Sequence, residues 1–283
     1  MQAPWSRRKF LGVAAGTAAT FTARRCARGA DERADRFGGF RVGMQSYTLR
    51  DFKVDRALTE IKNLGLHDVE FFDAHFSVKS SDADIEAMKS KTQALGITMR
   101  GHGVNPFTRD HEANRRWFEF AKKAGIRNIS ANPSEDAFDS LDKLVEEYQI
   151  RIAIHNHGPG ASYDKVSDVL NAIKGHHQLI GACADLGHYI RSAEDPVRAI
   201  HLLEGRLYGI HLKDFADQKA KTKGVILGKG HLDVVGVFRA LRKVNFPADG
   251  CLSVEYEENP QDPLADVREC LVVASEAAMK AAG

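Results

Sequence analysis

The chain has 283 residues, 43% hydrophobic and 28% charged, a balance that excludes a disordered or collagen-like protein. Its length suits one or two domains, including a single α/β barrel of about 250 residues. The charges that sum to a formal net charge of +2 are unevenly distributed along the chain, because eight of the 40 Lys/Arg but only three of the 38 Asp/Glu lie in residues 1–36. The remainder is slightly acidic, which argues against a protein that binds the phosphate backbone of nucleic acid.

The amino terminus carries the pattern of an export signal. Arg7 and Arg8 precede an uncharged run from Leu11 to Ala23 that is rich in Ala, Gly and Thr. A basic segment before a short apolar stretch is typical of a signal peptide, and the arginine pair followed by Phe-Leu resembles the twin-arginine motif. We expect residues 1–36 to be a twin-arginine signal peptide and flexible segment. The mature protein would then be periplasmic or otherwise extracytoplasmic, with no stable membrane anchor.

From Gly39 onward an apolar run, a polar loop and an amphipathic stretch recur eight times. Short β-branched runs predict strands, and longer amphipathic segments predict helices. The predicted strands are Arg41–Tyr47, Asp68–Phe72, Thr98–His102, Asn128–Ala131, Ile152–Asn156, Ile180–Ala184, Leu207–Leu212 and Cys251–Glu255. The clearest predicted helices are Asp55–Leu64, Ala83–Leu95, Asp110–Ala124 and Asp139–Tyr148. Gly65, Gly96 and Gly125 are predicted to form left-handed caps after three of them.

This alternation predicts a parallel sheet with helices outside. Eight units match a (β/α)8 TIM barrel, so we predict a single-domain α/β barrel over residues 37–283. A doubly wound open sheet is the alternative, but no Gly-x-Gly-x-x-Gly motif follows the first strand. One long loop is expected at Asp214–Leu232. Three cysteines lie beyond the signal, an odd count that argues against complete disulfide pairing, and Cys183 and Cys251 are predicted to be core residues.

Polar side chains collect at the predicted carboxyl ends of the strands, where barrels place their chemistry. One such histidine alone would be read as a hydrogen-bonded core or loop residue. Five histidines with several carboxylates are costly to bury unless they are satisfied or coordinate an ion. From the first four strands, the residues expected to bind substrate are Gln45, Tyr47, Glu70, His102 and Asn132.

The last four strands each supply a His, Asp or Glu after an apolar run. These residues are His155 with His157, Asp185 with His188, His211 with Lys213, and Glu255 with Glu257. Nitrogen and oxygen ligands from four adjacent strands suit a divalent cation of hard to borderline character. The absence of a thiolate from this set excludes a Cys-type structural zinc site.

Several short motifs in this order resemble the xylose isomerase-like TIM barrel superfamily over residues 39 to 280. The motifs are Gly43-Met-Gln45-Ser-Tyr47-Thr-Leu-Arg50, Gly65-Leu-His-Asp-Val-Glu70, Asp185-Leu-Gly-His188, His211-Leu-Lys213-Asp214, Gly228-Lys-Gly230-His-Leu-Asp233 and Glu255. That superfamily includes sugar phosphate isomerases and epimerases, inosose dehydratases and metal-dependent apurinic endonucleases. The resemblance implies a metal-dependent enzyme that acts on a carbohydrate.

The resemblance also implies roles for individual residues. In the family one ion is held by Glu, Asp, His and Glu after strands five to eight, which carries over to His155, Asp185, His211 and Glu255. His155 departs from the usual Glu. His188 matches a histidine that contacts substrate, and Lys213 matches a basic residue beside the seventh-strand ligand.

The implied reaction is isomerisation or epimerisation of a sugar or ketosugar, in which a proton next to a carbonyl is abstracted through an enediolate. Epimerases of this kind use two metal-bound carboxylates, and a ligating His155 has no free lone pair, so it is a poor second base. Glu255 is the expected base, with His157, His188 and Lys213 as further catalytic residues. One base and one acid also suit a lyase or hydratase that acts on 3-keto-glycosides by elimination.

The expected partner is a small, neutral carbohydrate, because an exported enzyme rarely meets sugar phosphates and no Gly-rich phosphate loop is evident. The expected cofactor is one divalent ion, Mn²⁺ in preference to Zn²⁺, Co²⁺ or Fe²⁺. Export of folded protein would allow Mn²⁺ to be loaded before zinc and copper compete. No nucleic-acid partner is expected, and a homo-oligomer is compatible with the sequence. A non-catalytic sugar-binding barrel and an endonuclease of the same fold are less favoured interpretations of the same strand ends.

Overall fold

Eight parallel strands close into a barrel in the computed structural model, which describes residues 36–283. The strands are β1 (Val42–Gln45), β2 (Asp68–Phe71), β3 (Thr98–Phe107), β4 (Asn128–Pro133), β5 (Arg151–His155), β6 (Ile180–Asp185), β7 (Leu207–Leu212) and β10 (Cys251–Val254). Each pairs with its neighbour in the chain, and β10 closes the ring between β7 and β1. The predicted (β/α)8 barrel is confirmed, and the open-sheet alternative is wrong. The predicted signal lies outside the described residues, apart from Arg36.

Helices follow the strands and cover the outside of the barrel. They are α1 (Val54–Asn63), α2 (Asp82–Leu95), α3 (His111–Ala124), α4 (Phe138–Tyr148), α5 (Val166–Ile173), α6 (Leu186–Arg191), α7 (Pro196–Leu202), α8 (Val234–Lys243) and α9 (Leu264–Lys280). Gly65, Gly96 and Gly125 follow α1, α2 and α3 with φ of 75°, 68° and 76°. The predicted left-handed turns are therefore present. They let the chain change direction within one or two residues of the end of each helix and enter the next strand.

Three segments differ from the sequence-based prediction. The first strand stops at Gln45, because Ser46–Leu49 forms a 3₁₀ turn whose start is capped by the Gln45 side chain. β3 continues past His102 to Phe107 with an irregular register against β4. The predicted long loop contains an antiparallel pair, β8 (Asp214–Phe215) and β9 (Gly224–Val225).

The core consists of aliphatic and aromatic side chains between the barrel and the helices, exemplified by Phe71, Ile129 and Phe238. Cys183, Cys251 and Cys270 are free and buried, which agrees with the core role predicted for the first two. None of the helices within residues 36–283 is long and apolar enough to cross a bilayer. All eight barrel strands point the same way, so their carboxyl ends form one face on which loop residues converge.

Candidate metal centre and cavity

Four buried ligating side chains meet at the carboxyl ends of adjacent strands. His155 and Asp185 are the last residues of β5 and β6, His211 lies near the end of β7, and Glu255 directly follows β10. Asp185 stands opposite His211 in the strand register. One ligating atom from each of the four lies within 4.8 Å of the others, so the barrel brings together the predicted set. We call these four residues the metal centre.

The spacing of these atoms fits a single cation. His211 Nδ1 lies 3.0 Å from both His155 Nε2 and Glu255 Oε2. Asp185 Oδ2 lies 3.4 Å from His155 Nε2 and 3.8 Å from His211 Nδ1. Ligands about 2.1 Å from a common ion lie about 3.0–3.4 Å apart in octahedral or tetrahedral geometry.

Buried carboxylate oxygens in the metal centre lack hydrogen bonds. Among residues 36–283, Asp185 Oδ2 and Glu255 Oε2 form no well-aligned hydrogen bond, although both form ion pairs with the Lys213 ammonium. Two buried carboxylates that share one ammonium are only partly compensated, and a divalent cation would coordinate both oxygens at once. The donor set of two imidazoles and two carboxylates suits Mn²⁺, Fe²⁺, Co²⁺ or Zn²⁺.

Lys213 supplies a positive charge at the edge of the metal centre. Its Nζ lies 2.9 Å from Asp185 Oδ2, 2.7 Å from Glu255 Oε2 and 2.6 Å from Glu257 Oε1. Burial by itself would lower the pKa of Lys213, but the carboxylates of Asp185 and Glu255 outweigh it and hold the pKa well above its ordinary value. The side chain is therefore a fixed ammonium that orients carboxylates.

Glu70 lies behind the metal centre, inside the barrel. Its Oε2 is 2.9 Å from His211 Nε2, on the side of the ring away from the ligating nitrogen. Neither side chain has exposed surface. Burial alone would raise the pKa of Glu70, but the charge of His211 and its hydrogen bond keep it lower than usual. Carboxylate partners of this kind orient the metal-ligating histidines of many proteins.

A cavity of about 400 Å³ opens above the metal centre. Six residues predicted to be functional line it, namely Gln45, Tyr47, His157, His188, Lys213 and Glu255, together with the ligand His155. The rings of His157 and His188 lie 5.9 Å apart, and the His157 ring lies 4.5 Å from that of His155. The two non-ligating histidines therefore stand at the boundary between the metal centre and any molecule in the cavity.

The environment of both cavity histidines disfavours their charged form. Desolvation, followed by the proximity of His155, lowers the pKa of His157 to about 4. Burial lowers the pKa of His188 to about 3, against the opposing charge of Asp185. Near pH 7 each ring is neutral, with one nitrogen that donates and one that accepts a hydrogen bond.

Three residues predicted to bind substrate lie elsewhere. Glu70 is behind the metal centre, as described. His102 is buried, its Nε2 donates a hydrogen bond to the Phe76 carbonyl at 2.8 Å, and its ring packs on Phe120. Asn132 is exposed and does not line this cavity. These three residues therefore do not line the cavity, because an inward or outward orientation at a strand end cannot be read from the strand alone, and their contact with substrate stays a prediction.

The cavity also contains residues that the sequence-based prediction did not assign. Phe72, Asp73, Gly103 and Val104 line it, beside Glu257, which was named from the sequence as a residue after the eighth strand. Phe72 was the last residue of the predicted second strand, and Asp73 follows it, so reading one residue further would have found the carboxylate. Gly103 and Val104 lie inside β3, which the prediction ended at His102.

The fold and the site together define the class of protein. It is a TIM barrel whose strands carry nitrogen and carboxylate ligands at their carboxyl ends, where such barrels place active sites, and the site suits a divalent cation. Residues 58–272 match the family model described as xylose isomerase-like TIM barrel, and the chain belongs to this family. The resemblance inferred from the motifs is confirmed.

Individual relatives include proteins with assigned reactions. An inosose dehydratase of Clostridium botulinum is 23% identical over 235 residues, which is 75% of each chain. A 3-oxo-isoapionate decarboxylase of Pectobacterium atrosepticum is 25% identical over 179 residues, 57% of this chain and 63% of the relative. A solved structure from Parabacteroides distasonis is 27% identical with a TM-score of 0.65, covering 82% of this chain and 97% of the other. The two named relatives are enzymes, which supports an enzyme here.

Proposed function

We propose that the chain is a sugar-modifying enzyme that removes a proton next to the carbonyl of a ketosugar, with elimination as the favoured outcome. The observation that carries this proposal is that Glu255 is the single carboxylate of the metal centre that lines the cavity. Asp185 has no exposed surface. His155 stands where epimerases of the family carry a second carboxylate. The site therefore offers one base from the metal centre and neutral histidines beside it.

His155, Asp185, His211 and Glu255 would hold one divalent ion, with Mn²⁺ as the proposed metal. When bound, such an ion polarises a carbonyl and stabilises the negative charge that develops on its oxygen. The residues of the chain perform the remaining tasks. Lys213 holds the two carboxylates in place, and Glu70 holds the ring of His211.

The proton steps are assigned to Glu255 and the cavity histidines. Glu255 takes the proton from the carbon next to the carbonyl, and the C–H electron pair moves to the carbonyl oxygen. The pair then returns and expels the oxygen substituent on the next carbon. That oxygen receives the N–H proton of neutral His157 or His188. Solvent then returns a proton to the ring, and Glu255 releases to solvent the proton that it took. The products are an unsaturated ketosugar and water or an alcohol, so atoms and charges balance.

The named dehydratase relative supports elimination, because it is called an enzyme of that reaction type. Aldose–ketose isomerisation is the second candidate, since one base can move a proton on one face of a substrate. Epimerisation is less favoured, because it needs a second base on the opposite face and His155 as a ligand cannot serve.

The charges around the cavity favour a neutral substrate. Among the described residues that line it, Lys213 is the one permanent cation, and it is already paired with three carboxylates. A phosphate ester would meet Asp73 and Glu257 without a free cation to offset them. Tyr47 and Phe72 contact each other edge-on at 5.4 Å and offer apolar surface to a sugar ring.

The test uses a 3-keto-glucoside with Mn²⁺ in deuterium oxide. Wild type should exchange the hydrogen next to the ketone and release the aglycone as an unsaturated ketosugar forms. Glu255→Gln keeps the size of the side chain but removes its basicity, and the rate should fall by about 10²–10⁴-fold. The control is Glu276→Gln, an exposed position on α9.

Three results would contradict parts of this proposal. Exchange by Glu255→Gln at the wild-type rate would remove Glu255 as the base. Exchange without aglycone release would favour isomerisation. Binding of the ketosugar with neither exchange nor release would indicate a non-catalytic sugar-binding barrel.

A further inference from the structure

A polar layer lies inside the barrel directly beneath the metal centre. It consists of Glu70, Ser130, Cys251 and Ser253, which come from β2, β4 and β10, and we call it the Glu70 layer. All four residues are buried, with at most 2% of their surface exposed. Barrel interiors at this level are usually filled by branched aliphatic side chains. A buried carboxylate here is costly unless its partners compensate, so its presence calls for a physical reason.

The partners of Glu70 are all hydrogen-bond donors. Ser130 Oγ donates to Oε1 at 2.5 Å, and Ser253 Oγ donates to Oε2 at 3.0 Å. Cys251 Sγ donates to Oε2 at 3.3 Å. Surrounded in this way, Glu70 is held as a carboxylate, which can only accept hydrogen bonds.

An accepting carboxylate fixes the proton on the ring of His211. Because Nε2 lies 2.9 Å from Oε2, this nitrogen must carry hydrogen and donate. When the ring gives up its second proton to bind an ion, the free lone pair is on Nδ1, the atom that faces His155 and Glu255 at 3.0 Å. Glu70 thus selects the one tautomer of His211 that can bind an ion at the metal centre.

We propose that Glu70 is a positioning residue that sets the tautomer of His211 and thereby the affinity of the metal centre. This inference rests on the metal centre of the proposed function but not on the reaction. It also explains why an acidic residue at the end of β2 has no contact with the cavity.

A competing interpretation treats Glu70 as a ligand. Glu70, Cys183 and His211 also offer ligating atoms within 4.8 Å of one another, as a second ion would require. In that case His211 Nε2 would bind metal and carry no proton. The hydrogen-bond donors on both oxygens of Glu70 favour the positioning role. The two interpretations also predict different metal stoichiometries: one ion per chain if Glu70 is a positioning residue, and two ions per chain if Glu70 is a ligand.

The first experiment measures the dissociation constant of Mn²⁺ alone, by equilibrium dialysis, for the full chain and its variants. Glu70→Gln keeps the shape of the side chain but removes its charge, and affinity should fall about 10–100-fold. The matched control is Ser130→Ala, which removes a partner of the other oxygen and should leave the affinity nearly unchanged. In a His211→Ala background, Glu70→Gln should add no further loss, because its effect passes through the ring.

The second experiment needs no variant of Glu70 and therefore holds even if Glu70→Gln fails to fold. In ¹⁵N NMR spectra of the wild type loaded with Zn²⁺, His211 should show a protonated Nε2 and a metal-bound Nδ1. Its signals are assigned by their loss in His211→Ala.

Four outcomes would overturn the inference. They are an unprotonated Nε2, two ions per wild-type chain, unchanged affinity in Glu70→Gln, or an equal loss in both backgrounds. A wild type that binds no ion would overturn the metal centre as well, whereas these four outcomes concern Glu70 alone.

Discussion

Asp214 supports the segment that follows β7 and borders the site. Its Oδ2 accepts hydrogen bonds from the backbone N–H groups of Gly228 and Gly230, each at 3.0 Å. Its Oδ1 accepts from His231 at 2.9 Å and Leu232 at 3.0 Å. The side chain therefore ties both ends of the loop that contains β8 and β9. Its neighbour in sequence is Lys213, so loss of these bonds would reach the metal centre.

The effect of Asp214→Asn can be estimated from these four bonds. An amide keeps one accepting oxygen and turns its NH₂ group toward two N–H donors, so two bonds to a charged acceptor are lost. Each contributes about 1.5–3 kcal/mol, and water can reach the less buried donors, so the free energy of unfolding should fall by about 3 kcal/mol.

Urea unfolding of the ion-free protein measures this loss, and limited proteolysis within residues 216–232 should accelerate in parallel. Asp217→Asn is the matched control in the same loop, because that side chain is 57% exposed. Its stability should change by less than about 0.5 kcal/mol. If Asp214→Asn unfolds at the same urea concentration as Asp217→Asn, the four bonds do not stabilise the loop and the reasoning fails.

Two further predictions concern the metal and export. Asp185→Ala and His211→Ala should each sharply lower the ion content measured by elemental analysis, because each variant removes a ligand. The control is His176→Ala, on the outside of the barrel, which should keep its ion. Full occupancy in both ligand variants would refute the assignment. Replacing Arg7 and Arg8 together by Lys should retain the precursor in the cytoplasm, because the twin-arginine signal is recognised by a receptor and not as bulk charge. Unchanged periplasmic recovery in fractionation would contradict the proposed export.

The strands were largely predictable because β-branched runs alternate with amphipathic segments. The predicted Leu207–Leu212 coincides with β7, and Ile180–Ala184 differs from β6 by one residue. The extension of β3 was not predictable in the same way. Its residues Gly103 to Phe107 include a glycine, an asparagine and a proline, which do not form an apolar run. They are held in the strand by pairing with β4, a contact between distant parts of the chain.

The site shows the same division. Reading the strand ends placed His155, Asp185, His211 and Glu255 near one another, because parallel strands in a barrel end on one face. The same reading placed Glu70 in contact with substrate, although its side chain points under the metal centre toward Ser130.

The sequence by itself therefore determined the order of strands and helices, the closed barrel they predict and the strand ends that carry ligands. These features follow from local periodicity and from the parallel direction that alternating elements impose. Only the tertiary structure decided which polar residues face the cavity, the metal centre or the helices. Pairing register, and the bulge between Val69 and Glu70, set those directions. A shift of one residue turns a side chain to the opposite face of a strand, and contacts between distant strands fix that shift.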